Sequence, residues 1–423
     1  GLRLRGPLDV EALARSFEAV AMRHDQLRTR FLLVEGRPVQ VTTESPTLPF
    51  DRQVADPAAG LPLDQYVADL AASEARLPFA LEGSLLWRIK LVQLGEQDHL
   101  LFVTLHHAIA DGWSLNLLLA DMVSAYCALR AGQPVPFPAP TVRYADYAQW
   151  QREWLTGDVL EHELGYWKQA LAGASPMVSL YADHPRPTVQ TFRGARHNFT
   201  VPPDVTAALQ GLGRRQGVTL FMTLLAAFQV LLHRYSGDGD LSIGTPIANR
   251  TTVETEGLIG FFVNTLVLRT DVSGDPRFVD LLERVRETVL GAQSHQDVPF
   301  EQVVDALKPE RDLSHAPLFQ VMFALQTLGR DMIEIPDLTI EPVEVDPGSA
   351  KFDLSLEMTL APEGLTGFFE FNLDLFEPAT IERMAGHFLT LLAGIVAEPQ
   401  RTLAAFPLLT GAERQQVVGV WNR

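Results

Sequence analysis

His99-Leu100-Leu101-Phe102-Val103-Thr104-Leu105-His106-His107-Ala108-Ile109-Ala110-Asp111-Gly112-Trp113-Ser114 is the stretch from which the fold reads outward. Residues 99–105 form a short, nearly continuous apolar run rich in β-branched and aromatic side chains, the pattern of a buried strand. The segment after Ser114 is helical. Leu115, Leu118, Leu119, Met122, Val123 and Tyr126 recur at the spacing of one buried helix face, with Ser114 as the expected N-cap. The two histidines, Asp111 and Gly112 therefore belong to a strand-to-helix turn.

Adjacent residues at a strand end point to opposite sides, so His106 and His107 cannot both face one small cavity. One is expected to be buried support and the other free to act. The same geometry argues against a metal at this turn, because helical zinc pairs sit at i, i+4 and the chain has no His-Glu-x-x-His and a single cysteine. Gly112 reads either as a turn glycine that permits positive φ with no contact to ligand, the favoured reading from the turn alone, or as a place where a thin substrate passes close to the backbone. Asp111 is expected to pair with an arginine and fix the loop, or to orient an imidazole.

The chain has 423 residues and 46.8 kDa, longer than one ordinary domain, and 47% of its residues are hydrophobic, enough for a large core. Its formal net charge is −18, and no run of lysines and arginines interrupts that balance, so nucleic acid and anionic membrane are poor partners. Cys127 lies in the helix after the motif, where a small buried hydrophobe is expected rather than a nucleophile. With no disulfide available within the chain, a reducing cytoplasm is the expected setting. The apolar stretch 220–232 is interrupted by Thr223 and Gln229, is too short to span a bilayer, and reads as a core helix.

Outside the motif, strands and helices alternate, which predicts α/β units with helices packed on mixed sheets. Residues 1–6 alternate like a strand, as though the chain begins inside a structure, and Asp9 caps a helix with Val10, Leu13, Phe17 and Val20 inward. Residues 44–62 read as loop, then come a helix over 62–76 and strands over 86–94 and 100–105. Pro134, Pro136, Pro138 and Pro140 predict an extended segment. Tyr147, Trp150 and Trp154 form an aromatic stripe expected in the core, and Leu160, Leu164, Trp167 and Leu171 mark another helix. Periodicity fails over 173–193, the expected boundary between domains. Beyond it the pattern predicts a strand over 196–201, helices near Pro203 and over 220–235, and strands over 241–250 and 259–269. Asn264 in the last of these must find partners, either by tying a loop to the sheet or by facing a ligand. Asp275-Pro276 predicts a helix start, followed by strands over 351–358 and 367–372 and a helix over 380–396.

Several stretches in order resemble the condensation domains of nonribosomal peptide synthetases. They are Arg23-His24-Asp25-Gln26-Leu27-Arg28-Thr29-Arg30-Phe31, the His106 to Ser114 motif, Tyr144-Ala145-Asp146-Tyr147-Ala148-Gln149-Trp150, residues 259–269, His295-Gln296-Asp297-Val298-Pro299-Phe300-Glu301, and residues 311–323 beginning at Arg311. The family's first motif is missing, which suggests an excised piece. The tail from Leu408 through Trp421 and Asn422 resembles the linker into a following adenylation domain.

The resemblance implies two chloramphenicol-acetyltransferase-like subdomains, 1–175 and 194–408, joined by a linker over 176–193 and set as a V-shaped pseudo-dimer, with residues 409–423 opening the linker to the next domain. It implies a substrate tunnel at their junction and an acyltransfer in which an acceptor α-amino group attacks a donor thioester. Both substrates would ride on phosphopantetheine arms delivered by donor and acceptor carrier proteins, with no cofactor or metal bound by the domain itself. His107 would meet the attacking amine, since a neutral imidazole can take a hydrogen bond or proton at neutral pH. His106 would support it, and Asp111 would pair with Arg28 or, second, Arg23. Gly112, Trp113, Ser114 and Asn264 would contribute to substrate binding. Residues 265–269 lean toward an L-configured donor.

Competing readings remain. Epimerization domains share the His-His-x-x-x-Asp-Gly motif, but 259–269 resembles the condensation form. Heterocyclization domains carry aspartates in place of the histidines. A condensation domain that also dehydrates its residue, an inactive recruitment module for a carrier protein or tailoring enzyme, and a stand-alone acyltransferase using coenzyme A are the other options.

Overall fold

The computed structural model describes residues 1–56, 62–138, 140–309, 312–327, 335–361 and 364–420. Arg311, Trp421 and Asn422, which carry part of the resemblance, lie outside the described residues. The first part of the chain runs β1 (Leu2–Arg5), α1 (Val10–Arg23), β2 (Thr29–Val34), β3 (Arg37–Thr42), β4 (Phe50–Val54), α2 (Leu63–Arg76), β5 (Trp87–Gly95), β6 (Asp98–Leu105), α3 (Gly112–Arg130) and α4 (Tyr144–Trp154). It continues through α5 (Gly157–Ala170), β7 (Gly194–Val201), α6 (Pro203–Gln216), α7 (Leu220–Ser236), β8 (Asp240–Ile247), α8 (Val253–Glu256), β9 (Asn264–Asp271) and α9 (Phe278–Ser294). The last part is α10 (Phe300–Leu307), β10 (Val321–Thr327), β11 (Thr339–Pro342), β12 (Leu354–Ala361), β13 (Gly364–Asn372), α11 (Pro378–Ala397) and α12 (Gly411–Gln415).

The chain divides into two compact units, but not by a cut at 176–193. One unit is residues 1–155, 248–263 and 331–347; the other is 156–247, 264–330 and 348–423. The first therefore recruits two later excursions of the chain, and α5 belongs with the second. Both units are built on mixed sheets, the α/β class expected from the alternation of elements.

In the first unit the strand order is β11-β1-β6-β5-β4, antiparallel except for the parallel β4–β5 pair. The period of two in β5 and β6 gives this sheet two apolar faces. Trp87, Ile89, Leu91 and Leu101 join Leu13, Phe17 and Val20 of α1 and Leu118, Met122 and Tyr126 of α3 on one face. Val92, Leu100 and Phe102 meet Ala71 of α2 on the other. The Asp9 cap forms as expected: Oδ1 accepts from the Ala12 N–H at 2.9 Å, and the Asp9 N–H donates to the Tyr126 hydroxyl at 3.0 Å, joining α1 to α3. Helix α3 is long and apolar enough to cross a membrane, yet its inward face is this core.

In the second unit the order is β7-β13-β12-β10-β8-β9, with β10 parallel to both β12 and β8 and the remaining pairs antiparallel. Helix α7 is buried from Met222 through Leu232, which explains its unbroken apolar sequence. Phe228 of α7 packs near Phe323, Phe369 and Phe388.

Four local expectations are corrected. Helix α3 is capped by Asp111, and Ser114 lies inside its first turn. Residues 259–263 are not strand, since β9 begins at Asn264. Strand β4 occupies part of the 44–62 segment read as loop; its burial has no period that would mark it. Helix α9 starts at Phe278, with the Arg277 N–H donating to Asp280 Oδ2 at 3.3 Å, rather than at Asp275-Pro276. The aromatic stripe on α4 is also not core: α4 has no buried residue, and Trp150 and Trp154, stacked on each other, are 46% and 37% exposed.

Candidate active site

The chain leaves β6 at Leu105 and turns through residues 106–109, with the His106 N–H donating to the Leu86 carbonyl at 2.8 Å. Both histidines lie beyond the strand, in the turn, and they differ in exposure. His106 is half-buried rather than buried, lies edge-on to Phe79 with ring centroids 6.0 Å apart, and accepts the Ala108 N–H on Nδ1 at 3.0 Å. It shapes the turn. His107 is exposed, and its Nδ1 lies 2.9 Å from the Ala110 carbonyl oxygen. A carbonyl can only accept, so Nδ1 carries the hydrogen and the neutral ring keeps its lone pair on Nε2. The Phe261 ring stands edge-on to this imidazole at 5.2 Å and limits its rotation.

Below the turn lies a buried polar knot. Asp111 Oδ1 accepts from the Ser114 N–H at 2.8 Å and the Ser114 hydroxyl at 2.7 Å, and Oδ2 accepts from the Phe262 N–H at 3.0 Å. Arg250 Nη2 reaches Oδ1 at 3.1 Å and Ser114 Oγ at 2.9 Å, while Nη1 donates to the carbonyls of Thr255 at 2.5 Å and Leu258 at 2.7 Å. The side chains of Arg250 and Asp111 are 1% and 3% exposed. Burial lowers the pKa of the Arg250 guanidinium and the Asp111 carboxylate works against that, a balance that leaves an arginine charged at neutral pH. The guanidinium also lies 4.0 Å from the centre of the Phe262 ring.

The knot fixes residues 248–263 against the histidine turn within the first unit. Gly260 uses both backbone groups on Ser114: its N–H donates to Oγ at 3.1 Å and its carbonyl lies 2.9 Å from the same hydroxyl. A Cβ at Gly260 would sit 2.2 Å from the Tyr144 ring and 2.8 Å from the Phe262 ring, so only glycine fits. The Tyr144 hydroxyl donates to the Phe261 carbonyl at 2.9 Å, and burial pushes its pKa up to about 12, keeping the donor protonated. Through this bond α4 helps to place the ring beside His107.

Several expected roles are corrected. The partner of Asp111 is Arg250, not Arg28 or Arg23. Arg28 pairs with Asp25 and donates to the carbonyls of Ala21 and Thr43; Arg23 reaches Asp121 at 3.4 Å. Ser114 is fully buried in the knot, out of reach of substrate. Asn264 is tied up by backbone: Nδ2 donates to the carbonyls of Gln296 and Val298, and Oδ1 accepts from the N–H groups of Thr265 and Phe300. That fills its bonding capacity and makes it a loop anchor of the second unit. Trp113 is 44% exposed, with its indole N–H on the Glu256 carbonyl. Gly112 opens α3 without positive φ, and a Cβ there would meet nothing within 4 Å. The expected positive φ is therefore absent at Gly112.

The sequence reading missed Arg250, Phe261 and Phe262 as site residues. No spacing signal connects Arg250 with Asp111, since 139 positions separate them. The apolar run around Phe261 masqueraded as strand.

A family model described as Condensation domain matches residues 1–418. One of the linear gramicidin synthase subunits of Brevibacillus parabrevis is 47% identical over 422 residues, which is 99% of this chain and 5% of that protein. Phosphinothricin tripeptide synthetase PhsC of Streptomyces viridochromogenes is 42% identical over 414 residues, 97% of this chain and 38% of that protein. The chain thus spans a small part of the synthetases it matches. Among solved structures, the complex of the X-domain and OxyB from teicoplanin biosynthesis aligns with a TM-score of 0.86 at 28% identity, covering 97% of this chain and 90% of that one. A four-domain nonribosomal peptide synthetase bound to AMP and glycine aligns with a TM-score of 0.86 at 26% identity, covering 97% of this chain and 32% of that one. With the histidine turn, its buried clasp and the whole-length match in agreement, the chain belongs to the condensation domain family.

Proposed function

We propose that this chain forms an amide bond by moving a donor aminoacyl or peptidyl group from its thioester to the α-amino group of an acceptor aminoacyl thioester, in nonribosomal peptide synthesis. Donor and acceptor are carried on phosphopantetheine arms of two carrier proteins, in the cytoplasm, with an adenylation domain as neighbour in the same synthetase. The observation that carries this reading is the 2.9 Å contact of His107 Nδ1 with the Ala110 carbonyl. Nδ1–H on the Ala110 carbonyl puts the lone pair on Nε2, where it can accept a hydrogen bond or proton from the attacking amine.

The step balances without a protein nucleophile. The amine nitrogen bonds to the thioester carbon, the tetrahedral intermediate expels the donor's thiolate, and the amine proton passes to the leaving sulfur, by way of Nε2 or directly. Because the thioester arrives activated, orientation supplies much of the acceleration. Nε2 acts by accepting from the amine and by stabilising charge as it develops. Gly112, at the mouth of α3 with open space where a side chain would be, is the thin wall along which the donor thioester passes. The chemistry calls for no resident cofactor.

The experiment mixes the chain with loaded donor and acceptor carriers and reads the acceptor's intact mass. Gain of the donor acyl mass supports condensation. Gain of that mass less water points to a modifying domain, and transfer only from acyl coenzyme A points to a stand-alone acyltransferase. No transfer while both carriers bind favours a recruitment module.

A further inference from the structure

We propose that His162, Glu163 and His295 form a binding site for a borderline divalent ion of the zinc class, independent of the histidine turn. His162 and Glu163 are neighbours on α5, and His295 is the C-cap residue of α9; all belong to the second unit. Each offers one ligand atom, and these atoms lie within 4.8 Å of one another, the one such group of three found among the described residues. Two imidazoles and a carboxylate are the donor set of three-ligand zinc sites, which leave a further position for water.

The geometry is close to what an ion demands. His295 Nδ1 lies 3.1 Å from Glu163 Oε2. Bonds of about 2.0–2.1 Å place neighbouring ligand atoms roughly 3.0–3.4 Å apart, so this pair already has the separation of two ligands on one ion. His162 is exposed and 5.6 Å from His295 between ring centroids, close enough to complete the set by a side-chain rotation.

The surroundings hold the key ligand in place. Tyr166 stacks on the His295 ring at 4.2 Å and 12°, and the Trp167 indole N–H donates to the His295 carbonyl at 2.9 Å. Such outer contacts fix a ligating imidazole before the ion arrives. Two of the three ligands lie on α5, and none lies in the histidine turn or its buried knot. The site is split between α5 and a cap 132 positions after Glu163, so no ligand spacing marks it in the sequence. A bound ion would pin α5 to the end of α9, a structural clasp with no part in amide formation.

The test uses the full chain, free of any affinity tag and stripped with chelator, titrated with Co²⁺ while visible absorption is read, then with Zn²⁺ in competition. The expected result is saturation at one equivalent, weakened roughly tenfold or more by His162→Ala and by Glu163→Gln, since a direct ligand matters at least as much as its outer contacts. Zn²⁺ is expected to raise the melting temperature of the parent chain and not of His162→Ala. The exposed His162 is chosen because its metal-free variant is expected to melt like the parent. Absence of saturable uptake, or equal uptake in both variants, overturns the site and leaves His295 and Glu163 as a plain ion pair.

Discussion

Replacing Arg250 by methionine tests whether the buried knot is what shapes the histidine turn. The substitution keeps bulk over the Phe262 ring but removes the cation from Asp111 and two donors from the carbonyls of Thr255 and Leu258. Breaking a buried pair from one side costs about 3–5 kcal/mol, because the partner charge stays behind. Asp111 retains Ser114 N–H, Ser114 Oγ and Phe262 N–H as donors, which points to the lower end, about 3 kcal/mol. At about 1.36 kcal/mol per decade, that is about two orders of magnitude in a local opening equilibrium. Hydrogen exchange reads it directly, since the amides of Ser114 and Phe262 both donate to Asp111. Their exchange is expected to accelerate by about that factor, while amides in the core of α7 in the other unit stay slow. Adding Asp111→Asn, which keeps a capping oxygen but removes the stranded charge, is expected to recover part of the loss. Acceleration of less than about threefold at both amides in Arg250→Met would refute the reasoning, because a buried unpaired carboxylate cannot cost so little.

Other perturbations probe different parts of the account. Gly260→Ala forces a methyl into the Tyr144 and Phe262 rings and is expected to cost about 1–3 kcal/mol of stability together with most of the transfer activity, measured by denaturation and carrier assay. Gly112→Ala is expected to melt like the parent, because nothing lies within 4 Å of the added Cβ, and to slow transfer; Gly112→Leu is expected to slow it further, at least roughly tenfold. Glu357 has its carboxyl pKa raised by burial and by Glu370, against the pull of Arg196 and Lys351. The folded state therefore holds that proton more tightly, a stabilisation complete below the ordinary value of 4.5 and lost as pH rises through the raised one. Glu357→Gln is accordingly expected to raise the melting temperature near pH 7 and to give no gain near about pH 4; equal gains at both would contradict the assignment.

What could be read in the sequence was what local pattern determines. Helices α1, α3, α7 and α11 and strands β5, β6, β12 and β13 are marked by their own periodicity, because each buries one face or all of itself in a core. Residues 259–263 defeated the same reasoning: the run is as apolar as a strand, with Ile259 and Phe262 2% and 3% exposed, but it is irregular chain of the first unit in which Phe261 is 39% exposed. Trp150 and Trp154 show the complementary limit, since a stripe at helical spacing says which residues share a face and not whether that face is covered. The turn that carries His107 was legible because its neighbours in sequence are its neighbours in space, with the Ala110 carbonyl three residues away. Arg250 was not, because a long-range ion pair leaves no period. The choice of Arg28 followed proximity in a motif, and that guanidinium is instead consumed by Asp25 and the carbonyls around it.

The most direct measurement is the intact mass of the loaded acceptor carrier after incubation with loaded donor carrier and either the parent chain or His107→Ala, with hydrogen exchange at Ser114 and Phe262 confirming that the knot is unchanged in the variant. The donor acyl mass is expected on the acceptor with the parent chain, and its rate is expected to fall in the variant by about two or more decades, about what a lost acid–base group costs. Transfer at the parent rate by a folded His107→Ala chain would contradict the central claim that Nε2 of this histidine serves the attacking amine.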